Sequence, residues 1–186
     1  METIIFRKNL ELKRTKEELE EKLKVKIEIE GKKATISGES LDEYEASIVL
    51  DAMAFGFSAQ KALSLKDPGV LFRKIHIKDF TRKKNLREVK ARIIGTNGQT
   101  LDTLEEISNC DVLLRENEVG IIGSAESIES AITAITNLIR GTKQANVYRY
   151  LEKSNKTKKS LDNSLGLLNP KIKNKPELKR QNRNKE

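Results

Sequence analysis

The chain has 186 residues, 37% hydrophobic and only 4% aromatic, with one cysteine, Cys110, and one histidine, His76. That supports one or two small aliphatic-cored domains and excludes an internal disulfide or a Cys/His zinc site, and no apolar run is long enough to cross a membrane. The formal net charge of +8 points to a polyanionic partner, and it is unevenly spread: residues 153–186 carry 11 Lys/Arg against 3 Asp/Glu, while residues 73–92 carry nine bases against two acids inside a neutral body.

In chain order, the alternation of residues 3–7 predicts a strand and the pattern of residues 10–23 a helix. Strands follow at 24–30 and 33–37, then a long helix from Leu41, with Ser40 and Glu43 spaced as a capping box. Asp67-Pro68-Gly69 marks a turn in the connecting segment, residues 64–70. Residues 71–79 alternate as a strand, and Asn85 is placed to cap a helix running to Ile94. After Gly95-Thr96-Asn97-Gly98 comes a helix over residues 99–108 with Leu101, Leu104 and Ile107 three apart. Short strands at 110–115 and 118–123 join at Glu116-Asn117. A helix burying Ile128, Ile132, Ile135, Leu138 and Ile139 closes the unit, and a shorter one near 143–153 extends it. From Ser154 the pattern turns to Lys, Asn, Ser and Pro, the composition of a disordered basic tail, with one short transient helix expected near 161–168.

The two halves of the body repeat at an offset of 85 residues. Leu19 meets Leu104, Ile27 meets Val112, Ile36 meets Ile121, Gly38 meets Gly123, Leu50 meets Ile135 and Gly56 meets Gly141. The second copy reads βααββα. In the first, the glycine loop falls on Leu10-Glu11-Leu12-Lys13, so the loop is missing and one helix replaces two. The expected fold is α+β: two tandem units, each a three-stranded sheet with helices on one face, at residues 1–66 (degenerate) and 70–153, followed by the tail at 154–186.

Two glycines three apart between two helices let the main chain come close to another backbone. Amides opening the following helix lack intrahelical acceptors and can meet a phosphate. An ordinary Asn-Gly turn is the alternative for the loop in isolation. In the context of the helix before it, the amphipathic helix after it and the βααββα order, residues 71–140 resemble the KH family, whose GxxG loop clamps about four nucleotides of single strand. ARIIGTNGQT, AFGFSAQKAL after the first copy and the ending NVYRYLEK are similar to the archaeal KH proteins related to the eukaryotic partner of the Nob endonuclease. In that family a degenerate first KH domain packs on a competent second one.

This resemblance implies binding of single-stranded RNA, small-subunit ribosomal RNA near its 3′ end, during small-subunit assembly. It also implies two partners, the Nob-type endonuclease and the alpha subunit of translation initiation factor two. Bases would lie between the helix after the loop and the middle strand. The implied RNA-binding residues are Arg92, Ile94, Gly95, Thr96, Asn97, Gly98, Gln99, Leu101, Leu113 and Arg115, with Leu104 a further lining candidate; for each apolar one a core position is the alternative. Family loops carry basic residues where Thr96, Gln99, Leu101 and Asp102 stand here, so Lys83, Lys84, Arg87, Lys90 and Arg92 are expected to supply the charge, with the alternative that they form a solvated helix face.

A protein-interaction scaffold with weak RNA binding and a general KH protein of RNA processing are the rival functions. An enzyme is not expected: the Glu17, Glu18, Glu20, Glu21 cluster and Glu105-Glu106 read as solvated helix faces, no P-loop pattern occurs, and neither cofactor nor metal is implied. Cys110 reads as a small core residue and His76 as structural or surface. The start METIIFRKN lacks the apolar core and cleavage site of a signal peptide, so the expected location is the cytoplasm, with no membrane partner.

Overall fold

The computed structural model of the chain describes residues 2–164, with side chains to residue 158. It contains two three-stranded antiparallel sheets with the same topology. In the first, β1 (Glu2–Ile5), β2 (Lys26–Glu30) and β3 (Lys33–Ser37) lie in the order β1-β3-β2; in the second, β4 (Val70–His76), β5 (Asp111–Arg115) and β6 (Glu118–Ser124) lie in the order β4-β6-β5. Helices α1 (Leu10–Leu23), α2 (Ser40–Phe55) and α3 (Ala59–Leu63) pack on the first sheet. Helices α4 (Arg87–Ile94), α5 (Gln99–Ser108), α6 (Ala125–Arg140) and α7 (Gln144–Ser164) cover one face of the second. A single helix, α1, does replace the α4-loop-α5 pair.

The apolar stripes make these helices. Leu12, Leu19 and Leu23 are buried on α1, and Ile128, Ala131, Ile135, Leu138 and Ile139 on α6. The 85-residue offset continues into the backbone. Lys24 and Asn109, which end α1 and α5, both take a left-handed conformation, as do Gly31 and Glu116 in the two hairpin turns. Glu20 Oε1 accepts from the Ile27 amide at 2.7 Å, and Glu105 Oε1 accepts from the Val112 amide at the same distance. Both carboxylates therefore seal an edge strand; they are not merely solvated, as the sequence suggests. Gly38 packs against Val25 and Gly123 against Cys110, where a Cβ would collide with the thiol. Cys110 is a core residue, its pKa pushed up by burial.

Several local expectations are corrected. Ser40 does not cap α2: Glu39 holds the N-cap position, and the Glu43 carboxylate instead accepts from the Gly38 amide at 3.0 Å, which lowers its pKa. Leu86, not Asn85, is the N-cap of α4; Asn85 Oδ1 takes the Arg87 amide at 3.0 Å in an Asx turn. The strand expected to reach residue 79 ends at His76 in a 3-10 turn, Ile77–Phe80. Helix α3 escapes the sequence patterns because it is only five residues long, yet it starts at the repeat equivalent of the first residue of α7. The helix expected to stop near Lys153 runs to Ser164, so the predicted tail boundary at 154 falls inside it. Apolar periodicity stops at Leu151, but polar contacts carry the helix on: Ser154 bonds Ser130 at 2.8 Å, and Asn155 donates to the Ile107 carbonyl at 2.6 Å. Residues 165–186 of the expected tail lie outside the described residues. No helix among the described residues is long and apolar enough to cross a membrane.

The first unit docks on the face of the second sheet that its own helices leave bare. Phe55 and Phe57, at the end of α2, form an aromatic cluster with Phe72 of β4, with centroids 5.7–6.0 Å apart. They lie on Gly120, where a Cβ would stand 2.5 Å from Phe55 and 2.9 Å from Phe57. Ile122 of β6 is buried in the first unit's core. Polar ties surround this contact. Lys74 binds both oxygens of Asp51 at 2.7 Å, and Lys61 binds Asp111 at 2.7 Å and Glu105 at 3.7 Å.

Candidate nucleic-acid interface

Helix α4 closes when the Gly95 amide donates to the Ala91 carbonyl at 2.8 Å. Gly95 then takes φ 76°, ψ −179°, a region essentially reserved for glycine. Here a Cβ would collide with the buried Thr100, 2.6 Å from its Cβ. Thr96–Gly98 form one 3-10 turn, with Asn97 at φ 52° and Gly98 at φ 82°, and α5 begins at Gln99. The loop thus bridges two helices, with Thr96, Asn97 and Gln99 exposed. The opening amides of α5 point outward with the positive end of its dipole. Thr100 anchors the foot of the loop: its hydroxyl accepts from Gln144 Nε2 of α7 at 2.7 Å.

Around the loop the structure gathers Arg92, Ile94 and Leu101. Ile94 is 38% exposed, an apolar side chain in water beside the glycines, and Leu101 is half-buried against the core. Leu104 is core. Arg92 lines a hollow with Gly141 and Lys143 at the α6–α7 turn, so Lys143 and Gln144 join the neighbourhood. Sequence reasoning missed both, because they lie more than forty residues from the loop in a turn without a motif. Of the basic run, Lys84 and Arg87 are exposed, Lys83 is paired with Glu88 at 3.1 Å, and Lys90 donates to Asn117 at 3.3 Å. Two of the expected cations therefore have partners within the protein.

Leu113 and Arg115 lie elsewhere than expected. Strand alternation turns Val112 and Leu114 toward the second core and Leu113 and Arg115 toward the first unit. The Arg115 guanidinium donates to the carbonyls of Ala54, at 2.8 Å, and Phe55, so it caps the last turn of α2. The strand second in sequence is also not the middle one in space: β6 takes that position, and β5 is an edge. His76 pairs across the sheet with Glu118 at 3.0 Å on the surface. Among the described residues no group of three or more His, Cys, Asp or Glu is arranged to hold a metal ion.

A βααββα unit with an exposed GxxG loop, docked on a second unit that lacks the loop, defines a tandem KH protein. Residues 71–156 match the model of the second KH domain of PNO1, a eukaryotic-type (type I) KH domain. The chain is 32% identical to Dim2p from Pyrococcus horikoshii, with a TM-score of 0.74 over 82% of this chain and 98% of that one. It is equally similar to the aDim2p structure in a complex with a/eIF2alpha and rRNA from the same organism, with 32% identity and a TM-score of 0.75 over 84% of this chain and 94% of that one. A KH domain-containing protein of Methanocaldococcus jannaschii is 30% identical over 145 residues, 74% of this chain and 64% of the relative. A pre-rRNA-processing protein PNO1 of Chaetomium thermophilum is 29% identical over 130 residues, 68% of this chain and 49% of that protein. The chain belongs to the Dim2/PNO1 family of KH-domain RNA-binding proteins. It spans about half the length of the eukaryotic relatives it matches.

Proposed function

We propose that the chain is a noncatalytic RNA-binding factor of small-subunit ribosome assembly, which holds single-stranded ribosomal RNA near the 3′ end of the small-subunit RNA over the Gly95–Gly98 loop. One observation carries this reading: an exposed loop whose two glycines adopt positive φ and open a helix, beside an exposed Ile94 and the cations Arg92 and Lys143. A base can rest on Ile94 and Leu101 while the backbone crosses the loop amides. Lys84, in the segment before α4, and Arg87, its first residue, add charge. The similarity to a protein solved with rRNA and a/eIF2alpha supports ribosomal RNA as the ligand and the alpha subunit of translation initiation factor two as a partner. A Nob-type endonuclease is the second proposed partner.

The scaffold reading draws on the loop's own lack of charge and on the exposed Asp102 beside Gly98. Titration with a 3′-terminal fragment of small-subunit rRNA, against a scrambled strand of equal composition, separates the two. The variant to use is Thr96→Asp with Asn97→Asp, since both side chains are exposed and Asp tolerates the left-handed position. Loss of at least tenfold in affinity with an unchanged melting temperature is expected. Equal binding of fragment and scramble would refute the ribosomal target, and an unaffected double variant would refute the loop.

A further inference from the structure

Edge strands β2 and β5 are sealed by Glu20 and Glu105, but β1, the other edge of the first sheet, has no such seal among the described residues. The Phe6 amide donates to the Lys32 carbonyl at 2.7 Å, so in this antiparallel register residues 2, 4 and 6 are the ones that bond the neighbouring strand. Thr3 and Ile5 therefore turn their amides and carbonyls the other way, where no strand lies and no bond to them occurs among the described residues. A bare edge of this kind is a template for one more strand.

Beside that edge runs a groove of about 470 Å³ between β1 and α2, with Ile4, Ile5 and Ile48 among its lining. Ile5 is 68% exposed, and on α2 Leu41 and Tyr44 are 69% and 64% exposed. Leu41, Tyr44 and Ile48 stand three and four residues apart, so they share one face of the helix and lengthen the apolar surface. This surface is also acidic. Residues 39–51 hold five carboxylates and no base, and the groove is lined by Glu2 and Asp51 but by no lysine or arginine. Lys74 occupies Asp51, whereas Glu2, Asp42 and Glu45 have no ion pair among the described residues. Such a rim repels nucleic acid, and a second copy of the chain would set the same acids against each other. It complements an extended segment that alternates cations with apolar residues.

We propose that β1 and the outer face of α2 form a docking site for an extended, lysine- or arginine-rich segment of a protein partner, which joins the first sheet as a further strand. Its main chain pairs with Thr3 and Ile5, its apolar side chains rest along Ile48, Tyr44 and Leu41, and its cations meet Glu2 and Glu45. The site is remote from Gly95–Gly98 in the repeat and stands or falls without the loop reading. The probe is a nine-residue synthetic peptide alternating lysine with valine, added to the full chain while amide hydrogen exchange is followed by NMR. Exchange at Thr3 and Ile5 should slow at least tenfold. Peptides with glutamate for lysine, or with proline at every second valine, should bind at least tenfold more weakly. Ile5→Pro deletes an outward donor without breaking a bond to β3 and should weaken the lysine peptide as much. Glu2→Gln with Glu45→Gln should weaken it about fivefold at low salt, and less as ionic strength rises. Should Ile5→Pro lower the melting temperature, the proline peptide decides in its place. Equal binding of the proline peptide overturns strand addition, and equal binding of the glutamate peptide or an unaffected Gln variant overturns the basic partner. Slow exchange at Thr3 and Ile5 before any peptide is added overturns the proposal as well. If it fades on dilution the edge belongs to a second copy, and if it persists the edge belongs to residues 165–186 of the same chain.

Discussion

Gly95 and Gly98 are glycines for different reasons. Gly98 has open space around it, with only Asp102 Oδ2 at 3.8 Å from a Cβ, and needs glycine for its left-handed φ alone. Asparagine visits that conformation readily, so Gly98→Asn should cost about 1 kcal/mol and keep the loop. Gly95 combines a glycine-only conformation with direct contact to Thr100. Gly95→Ala should lose about 1–3 kcal/mol from the backbone alone, more from the collision, and loosen the Thr100–Gln144 bond; urea unfolding of the two variants checks the order. This asymmetry makes Gly95 a poor probe of RNA binding, since its loss damages the fold first. The glycine pair itself was legible in the sequence, because spacing and flanking helices are local properties. The roles of Leu113 and Arg115 were not: alternation shows that they share a face, and nothing in the sequence shows that the face belongs to the first unit.

At the scale of elements, the repeat reuses one device to finish its sheets. A glutamate on the last helix before the hairpin, Glu20 or Glu105, closes an amide on the edge strand. Removing either as Glu→Ala opens that edge at a cost of about 1–3 kcal/mol, the worth of a charge-assisted bond. The sites share no partner, so the two losses should add in chemical denaturation. Glu105 differs in also meeting Lys61 of the other unit. Burial works against the charge on Lys61, but Asp111 and then Glu105 outweigh it and raise its pKa above 10.5. The stability this provides is complete below pH 10.5 and fades as pH rises through the folded value. Lys61→Met lacks it throughout, so the gap between the wild-type and variant urea midpoints should narrow on going alkaline. The helices and strands themselves were readable from their periodicities. What escaped was short or polar: α3, with five residues, and the last turns of α7, held by Ser154 and Asn155 where the apolar pattern has ended.

For the whole molecule, the decisive feature is the bare face of the second sheet, which a lone KH unit would leave to solvent and which the first unit covers here with Phe55 and Phe57. The sequence displayed two copies of one unit but not their docking, because Gly120 looks like a strand defect until the rings above it are seen. All the atoms nearest a Cβ at 120 belong to the first unit. Gly120→Ala therefore tests the docking and little else: overpacking should cost about 1–3 kcal/mol. Phe55→Ala should cost about 3–5 kcal/mol, as the ring is lost from a buried cluster. In combination the methyl group occupies space the ring has left, so the double variant should be more stable than the sum of the single losses by at least about 0.5 kcal/mol. Unfolding of the full chain by urea gives the four corners of this cycle. Strict additivity would mean that the rings of the first unit do not rest on the middle strand of the second.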